Sequence, residues 1–168
     1  MGHRNSLAYK DRIDELVGDQ DPLQILASTI SSMQDLLGNL RPSQLDTIPS
    51  GSWSINDVLQ HLVDAEMVNG YRLRMVLSAE RPTLPGYNQD YWVERFNLKR
   101  TSNSVMQDWK FMRAYNLRIL QTLKSEELNR EYLHLERGTE TLADLVHLMA
   151  GHDLLHKEQI KRLIEDLF

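Results

Sequence analysis

Apolar residues recur along this chain at steps of three and four, the spacing that gathers them on one face of a helix. Leu23, Leu26, Ile30, Met33, Leu37 and Leu40 form the first such stripe. Asp21-Pro22 opens it, an N-cap acid followed by proline at the first helical position, where no N–H is needed. Arg41-Pro42 closes it, because the residue before proline is pushed out of helical geometry. A second helix follows Trp53, with Ser54 as cap and Asp57 completing a weak capping box, and Ile55, Val58, Leu62, Ala65 and Asn69 line one face to about Leu77. A third fits from about 104 to 124 on Val105, Trp109, Met112, Leu117, Leu120 and Leu123. The last begins near Thr141 and runs almost to the C-terminus on Leu142, Leu145, Met149, Ile160 and Leu163. No segment alternates convincingly with period two, and residues 128–140 are less regular, with a turn signalled at Gly138. Four amphipathic helices of about 20 residues predict an all-α chain, a four-helix bundle.

Arg81-Pro82 and Pro85-Gly86 break the pattern and open a long connection, about 20 residues, between the second and third helices. It is rich in aromatic residues: Tyr87, Tyr91, Trp92 and Phe96. It is either a loop or short helix packed over one end of the core, or a lid or pocket wall in which Tyr87, Tyr91 and Trp92 would meet a ligand. With 168 residues, one core is the expectation. Residues 1–20 read as an N-terminal extension with room for a short helix, set apart by Gly18, and residues 21–168 as the bundle.

An apolar content of 41% and a charged content of 26% exclude global disorder. No run approaches the roughly 20 apolar residues needed to cross a bilayer, and the first residues lack a secretory apolar stretch, so a cytoplasmic protein without membrane contact is expected. The absence of cysteine removes disulfides, zinc fingers, iron–sulfur clusters and thiol nucleophiles. Any metal must therefore be held by His, Asp or Glu. A net charge of -5 and a pI near 5.7 argue against nucleic acid as a partner, and the Lys99-Arg100 pair is too short to reverse that.

Six histidines, His3, His61, His134, His147, His152 and His156, are then the main chemical resource. Positions four apart on a helix are about 40° and 6 Å apart, so His152 and His156 project from one face on successive turns. That face is the stripe of Leu145, Met149, Ile160 and Leu163; His147 projects to the opposite, solvated side. Imidazoles in an apolar stripe must have their nitrogens satisfied. The pair either hydrogen-bonds within the core or holds a metal. His61, at the border of the second helix's stripe, is the candidate third ligand. Three neutral imidazoles suit zinc, nickel, copper or iron, and three protein ligands leave a position for water or substrate.

Other motifs carry less. Glu131-Tyr132-Leu133-His134 has the Glu-x-x-His spacing of di-iron bundles, but these need two copies. No His-Glu-x-x-His zinc-protease motif occurs. Glu66 projects onto the core face about one turn beyond His61 and could orient a ligand or act as a general base, or form a salt bridge with an arginine of a neighbouring helix. Asp153 could accept from an imidazole N–H or be a surface carboxylate. Trp53 could anchor the core or touch a ligand.

Two stretches carry a resemblance: Trp53-Ser54-Ile55-Asn56-Asp57-Val58-Leu59-Gln60-His61-Leu62 and Gly151-His152-Asp153-Leu154-Leu155-His156-Lys157-Glu158-Gln159-Ile160. With Thr139-Glu140-Thr141-Leu142-Ala143-Asp144-Leu145 between the third and fourth helices, they make the chain resemble the DinB-like superfamily, also called DinB/YfiT-like, from about Asp21 to Phe168. The resemblance implies an up-down-down-up bundle in which His61, His152 and His156 hold one divalent ion, often nickel or zinc. It also implies a homodimer and, in some relatives, a low-molecular-weight thiol such as bacillithiol or mycothiol.

Such an ion lowers the pKa of a bound water or holds a thiol as its thiolate, a nucleophile that a cysteine-free chain lacks. Two functions follow as expectations. One is a metal-dependent enzyme acting on a small molecule by S-transfer or hydrolysis. The other is a non-catalytic bundle that binds metal or a ligand.

Overall fold

The computed structural model describes residues 6–48, 53–96 and 101–167; residues 1–5 with His3, the Lys99-Arg100 pair and Phe168 lie outside the described residues. A leading helix, α1 (Ser6–Val17), comes first. α2 (Pro22–Leu37) starts on the expected cap, the Asp21 carboxylate accepting from the Leu23 N–H at 2.9 Å. It stops at Gly38, short of Leu40, and Arg41-Pro42 opens a one-turn helix, α3 (Pro42–Leu45), instead of closing the long one. α4 (Ile55–Ser78) begins with a reciprocal box: Ser54 Oγ accepts from the Asp57 N–H at 3.1 Å and Asp57 accepts from the Ser54 N–H at 2.9 Å.

The aromatic connection holds a two-residue strand, β1 (Thr83–Leu84), and a helix, α5 (Gln89–Phe96), packed on α4. α6 (Ser102–Leu120) is capped by Thr101 and is followed by the single turn α7 (Ser125–Leu128). The expectation of no strand is corrected here. β2 (Glu131–His134) and β3 (Gly138–Thr141) form an antiparallel hairpin, and β1 adds to β2 in parallel. The period-two signal was there: Tyr132 and His134 point inward while Glu131 and Leu133 point out. It is short, and its inward residues are an aromatic with a hydroxyl and an imidazole, so no apolar alternation appears. Gly138, at φ +89°, supplies the left-handed turn residue. α8 (Leu142–Leu167) completes the chain.

The core falls into two clusters, and they fix the direction of each long helix. One cluster takes the start of α2 (Ile25, Leu26), the end of α4 (Leu73, Val76), the end of α6 (Leu120) and the start of α8 (Leu142, Leu145, Met149). The other takes the end of α2 (Met33, Leu37), the start of α4 (Ile55, Leu59), the start of α6 (Val105, Trp109) and the end of α8 (Ile160, Leu163). α2 and α8 therefore run one way and α4 and α6 the other, which is up-down-down-up. α2 packs on α6 and α8, and α4 packs on α6 and α8. Helices consecutive in this set, α2 with α4 and α6 with α8, consequently face each other across diagonals. α1 adds Ile13 and Val17 to the first cluster by lying along α8. Among the described residues, no helix is long and apolar enough to cross a membrane.

The inward side of β2 meets α4 at His134, which is 1% exposed. Its Nε2 lies 3.2 Å from Arg72 and 3.1 Å from Arg137, and its Nδ1 lies 3.2 Å from the Glu136 N–H. Burial, reinforced by the two guanidiniums, pushes its pKa from 6.5 down to about 4, so the ring stays neutral in the folded chain. The unfolded chain then binds the extra proton first, and the stabilising contribution is whole above pH 6.5 and is lost as pH falls through about 4. Denaturant midpoints measured above and within that window should differ more in the native protein than in a His134→Gln variant. Equal pH slopes for the two proteins would contradict the assignment.

Candidate metal centre

His61 sits within the first half of α4, a stretch whose neighbours Leu59, Gln60, Leu62 and Val63 are all buried, and the ring is itself only 1% exposed. Trp53, just ahead of the helix, lays its ring 5.2 Å from the imidazole. His152 and His156 come from the face of α8 turned toward α4, and their ring centroids are 5.0 and 4.7 Å from that of His61 and 4.4 Å from each other. One nitrogen from each ring can be chosen so that all three lie within 4.8 Å of one another. The His61 and His152 Nε2 atoms are 3.0 Å apart. A tetrahedral ion with bonds of 2.0–2.1 Å sets its ligand nitrogens about 3.3 Å apart, so the triad is of the right scale. The Gln159 side-chain oxygen lies 2.7 Å from Nδ1 of His156 and accepts its N–H in the tautomer that leaves Nε2 with its lone pair. Sequence reasoning passed over Gln159, although its place three residues beyond His156 puts it on the next turn of the same face.

Both carboxylates weighed from the sequence are committed elsewhere. Glu66 Oε2 accepts from Arg113 Nε at 2.8 Å, and Glu66 Oε1 accepts from Asn116 at 2.7 Å. Of the readings open for Glu66, the salt bridge with a neighbouring helix is the one found. Asp153 is not at the surface: it takes two hydrogen bonds from Arg113, at 2.6 and 3.0 Å, and is 2% exposed. Arg113 also donates to the Leu26 carbonyl on α2 at 2.9 Å. The two carboxylates hold the guanidinium charged, raising its pKa above the usual value against the opposing effect of burial. Arg113 and Asn116 were legible by the reasoning used for the histidines, as polar residues in an apolar stripe. The inward face of α6 runs Val105, Trp109, Arg113, Asn116, Leu120, whereas Met112 and Leu117, assigned to it from the sequence, are only half-buried.

Asp64, one turn beyond His61, is 8% exposed; Gln60 donates to its Oδ1 at 3.1 Å, and Oδ2 has no hydrogen-bond partner among the described residues. Burial pushes this carboxyl above the usual range. Tyr87 lies near enough to Asp64 for its phenol pKa to be raised, first by burial and then by that charge. Tyr87 packs against Trp92, with ring centroids 4.7 Å apart and planes tilted by 48°. Tyr91 is 54% exposed and turns instead to Phe96. His147, read as solvated, is partly covered by α1, where Asp14 lies 2.9 Å from its Nε2.

Fold and site together describe an up-down-down-up helical bundle with three imidazoles converging between α4 and α8. Residues 25–160 match the family model described as DinB superfamily, and the chain belongs to that superfamily. A Bacillus mycoides (strain KBAB4) protein named "Putative metal-dependent hydrolase" is 29% identical over 154 residues, covering 86% of this chain and 88% of its own. One of the same name from Oceanobacillus iheyensis is 27% identical over 139 residues, covering 81% and 75%. Among solved structures, YfiT from Bacillus subtilis superposes with a TM-score of 0.79 at 22% identity, over 99% of this chain and 93% of that one. It is described as "a probable metal-dependent hydrolase with an unusual four-helix bundle topology".

Removing Arg113 would strand two buried carboxylates. Arg113→Met should destabilise the protein by about 3–5 kcal/mol, a fall in melting temperature of roughly 10 °C. Thermal unfolding by circular dichroism measures it, and a shift within error of zero would mean that the network contributes nothing net.

Proposed function

We propose that this protein is a divalent-metal-dependent enzyme, in the first instance a hydrolase of a small molecule, with His61, His152 and His156 as the metal ligands. The observation that carries the reading is the convergence of the three ring nitrogens from two helices inside the bundle. The names of relatives aligned over most of the chain support it. A zinc- or nickel-class ion with three neutral nitrogen ligands supplies Lewis acidity at its open position, where a substrate oxygen or a water is polarised.

The chain's own residues do the rest. Gln159 holds the His156 tautomer, and Trp53 packs beside the His61 ring. Glu66 is locked to Arg113, so the acid–base part passes to Asp64, whose carboxyl keeps a proton to higher pH than an exposed aspartate. Tyr87, close enough to Asp64 to feel its charge, and Trp92 beside it would form a wall next to that acid. S-transfer from a small thiol is the second reading, favoured by one feature: a chain without cysteine has no sulfur nucleophile of its own.

Tag-free protein should purify with about one equivalent of metal per chain, and His156→Ala should lose it while keeping the helical signal. Unchanged metal content in His156→Ala would defeat the ligand assignment. On metal-loaded protein, turnover of ester and amide panels that His61→Ala abolishes supports hydrolysis. Turnover seen only when a thiol and an electrophile are added together supports S-transfer. A metal-loaded protein active in neither panel would leave the non-catalytic binder.

Gln159→Leu tests the outer hydrogen bond separately. It should weaken metal affinity by about 10–100-fold without unfolding the bundle. Competition with a chromogenic chelator reads this directly, and an affinity equal to that of the native protein would show that Gln159 does not orient the ligand.

A further inference from the structure

Along α4 the chain rises about 16 Å from His61 to Arg72, so the sheet-capped end of the bundle is a separate place from the triad. There a second polar cluster gathers more hydrogen-bond donors and more positive charge than the described residues answer. Arg72 is 6% exposed, yet among the described residues no carboxylate forms a salt bridge with it; it donates to Asn69 Oδ1 at 3.3 Å and to the Pro85 carbonyl at 2.9 Å. Arg137, by contrast, is matched by Glu140 through two hydrogen bonds of 2.6 and 2.7 Å. Both guanidiniums then reach the same atom, Nε2 of His134, while the Glu136 N–H faces the ring's other nitrogen.

A neutral imidazole has one N–H and one in-plane lone pair. Three donors converge on a ring that can accept at one nitrogen, so in either tautomer some N–H groups point at one another. Burying a cation beside another cation is unfavourable unless an anion completes the set. In agreement, Arg72 holds its proton less tightly than usual, through burial and the nearby Arg137.

We propose that Arg72, Arg137 and His134 form a binding site for a small oxyanion, the carboxylate or phosphate group of a small molecule. An oxyanion supplies the missing lone pairs and the missing negative charge together, and a guanidinium fork is suited to either group. Entry is from the hairpin side, where the Arg137 side chain is 20% exposed while His134 behind it is closed off. Glu140 keeps Arg137 in place, and the Tyr132 hydroxyl in turn donates to Glu140 at 2.5 Å. The proposal does not depend on the metal reading, since none of these residues belongs to the triad.

The test uses the full chain, titrated separately with inorganic phosphate and with acetate at constant ionic strength, against a chloride control. Calorimetry reads the affinity and the histidine ring signals in nuclear magnetic resonance read the place. Saturable binding of one or both anions, with the His134 ring signals moving, is the expected result, and which anion binds tells a phosphate site from a carboxylate one. Arg137→Gln, a change at a partly exposed side chain, should weaken binding at least roughly tenfold, and Arg72→Gln should do the same or more. No saturable binding of either anion to the native protein overturns the proposal. So does binding that survives Arg137→Gln and leaves the His134 ring unmoved.

Discussion

One guanidinium, Arg113, ties the four long helices together. From α6 it reaches Glu66 on α4, Asp153 on α8 and the Leu26 carbonyl on α2, so one buried group contacts both its neighbours in the bundle and its diagonal partner. This layer lies between the two apolar clusters, where hydrophobic contact alone would allow α4 and α8 to slide or rotate by a fraction of a turn. Directional, charge-assisted bonds do not tolerate that freedom. Asp153 is flanked by His152, and Glu66 follows His61 on the same helix. Holding the two carboxylates in register therefore holds the imidazoles in register, and the alignment of the triad follows from an ion network on the same two helices.

Much of the architecture was legible along the chain because each long helix buries a stripe that repeats at helical spacing and starts at a recognisable cap. Asp21 and Ser54 mark two starts to the residue. The aromatic connection and the hairpin were harder for a common reason. Short elements at the end of a bundle are held by contacts with distant helices, here Tyr132 and His134 against the body and Arg130 against the carbonyls of Val76 and Ala79. Such contacts leave little periodicity in the elements themselves. The direction of the four helices came from family resemblance; the two clusters provide a physical reason for it.

The site divides the same way. His152 and His156 stood out because an imidazole pair inside a leucine stripe requires partners, and His61 could be chosen because its helix offered one histidine near the core. What the sequence left open was which polar groups answer one another across space. Glu66 had three readings, Asp153 had two, and neither could be decided until Arg113 was seen to claim both. The inward face of α6 was misplaced by one residue at two positions: Met112 and Leu117 look like core residues by type, while the spacing from Val105 and Trp109 selects Arg113 and Asn116. The polar pair is inside because each has a charged or carbonyl partner waiting there.

The leading helix α1 packs along α8 and meets it closely just ahead of its first triad histidine. Ile13 fills the space where a Cβ on Gly151 would go, directly before the first histidine of α8. The missing side chain lets the two helices seat closely, so α1 works as a keel for the ligand-bearing helix rather than as a trailing leader. Anything that pries it away, whether trimming of the N-terminal segment or a bulkier residue at that glycine, would reach the imidazoles from behind, through the scaffold and without altering a ligand.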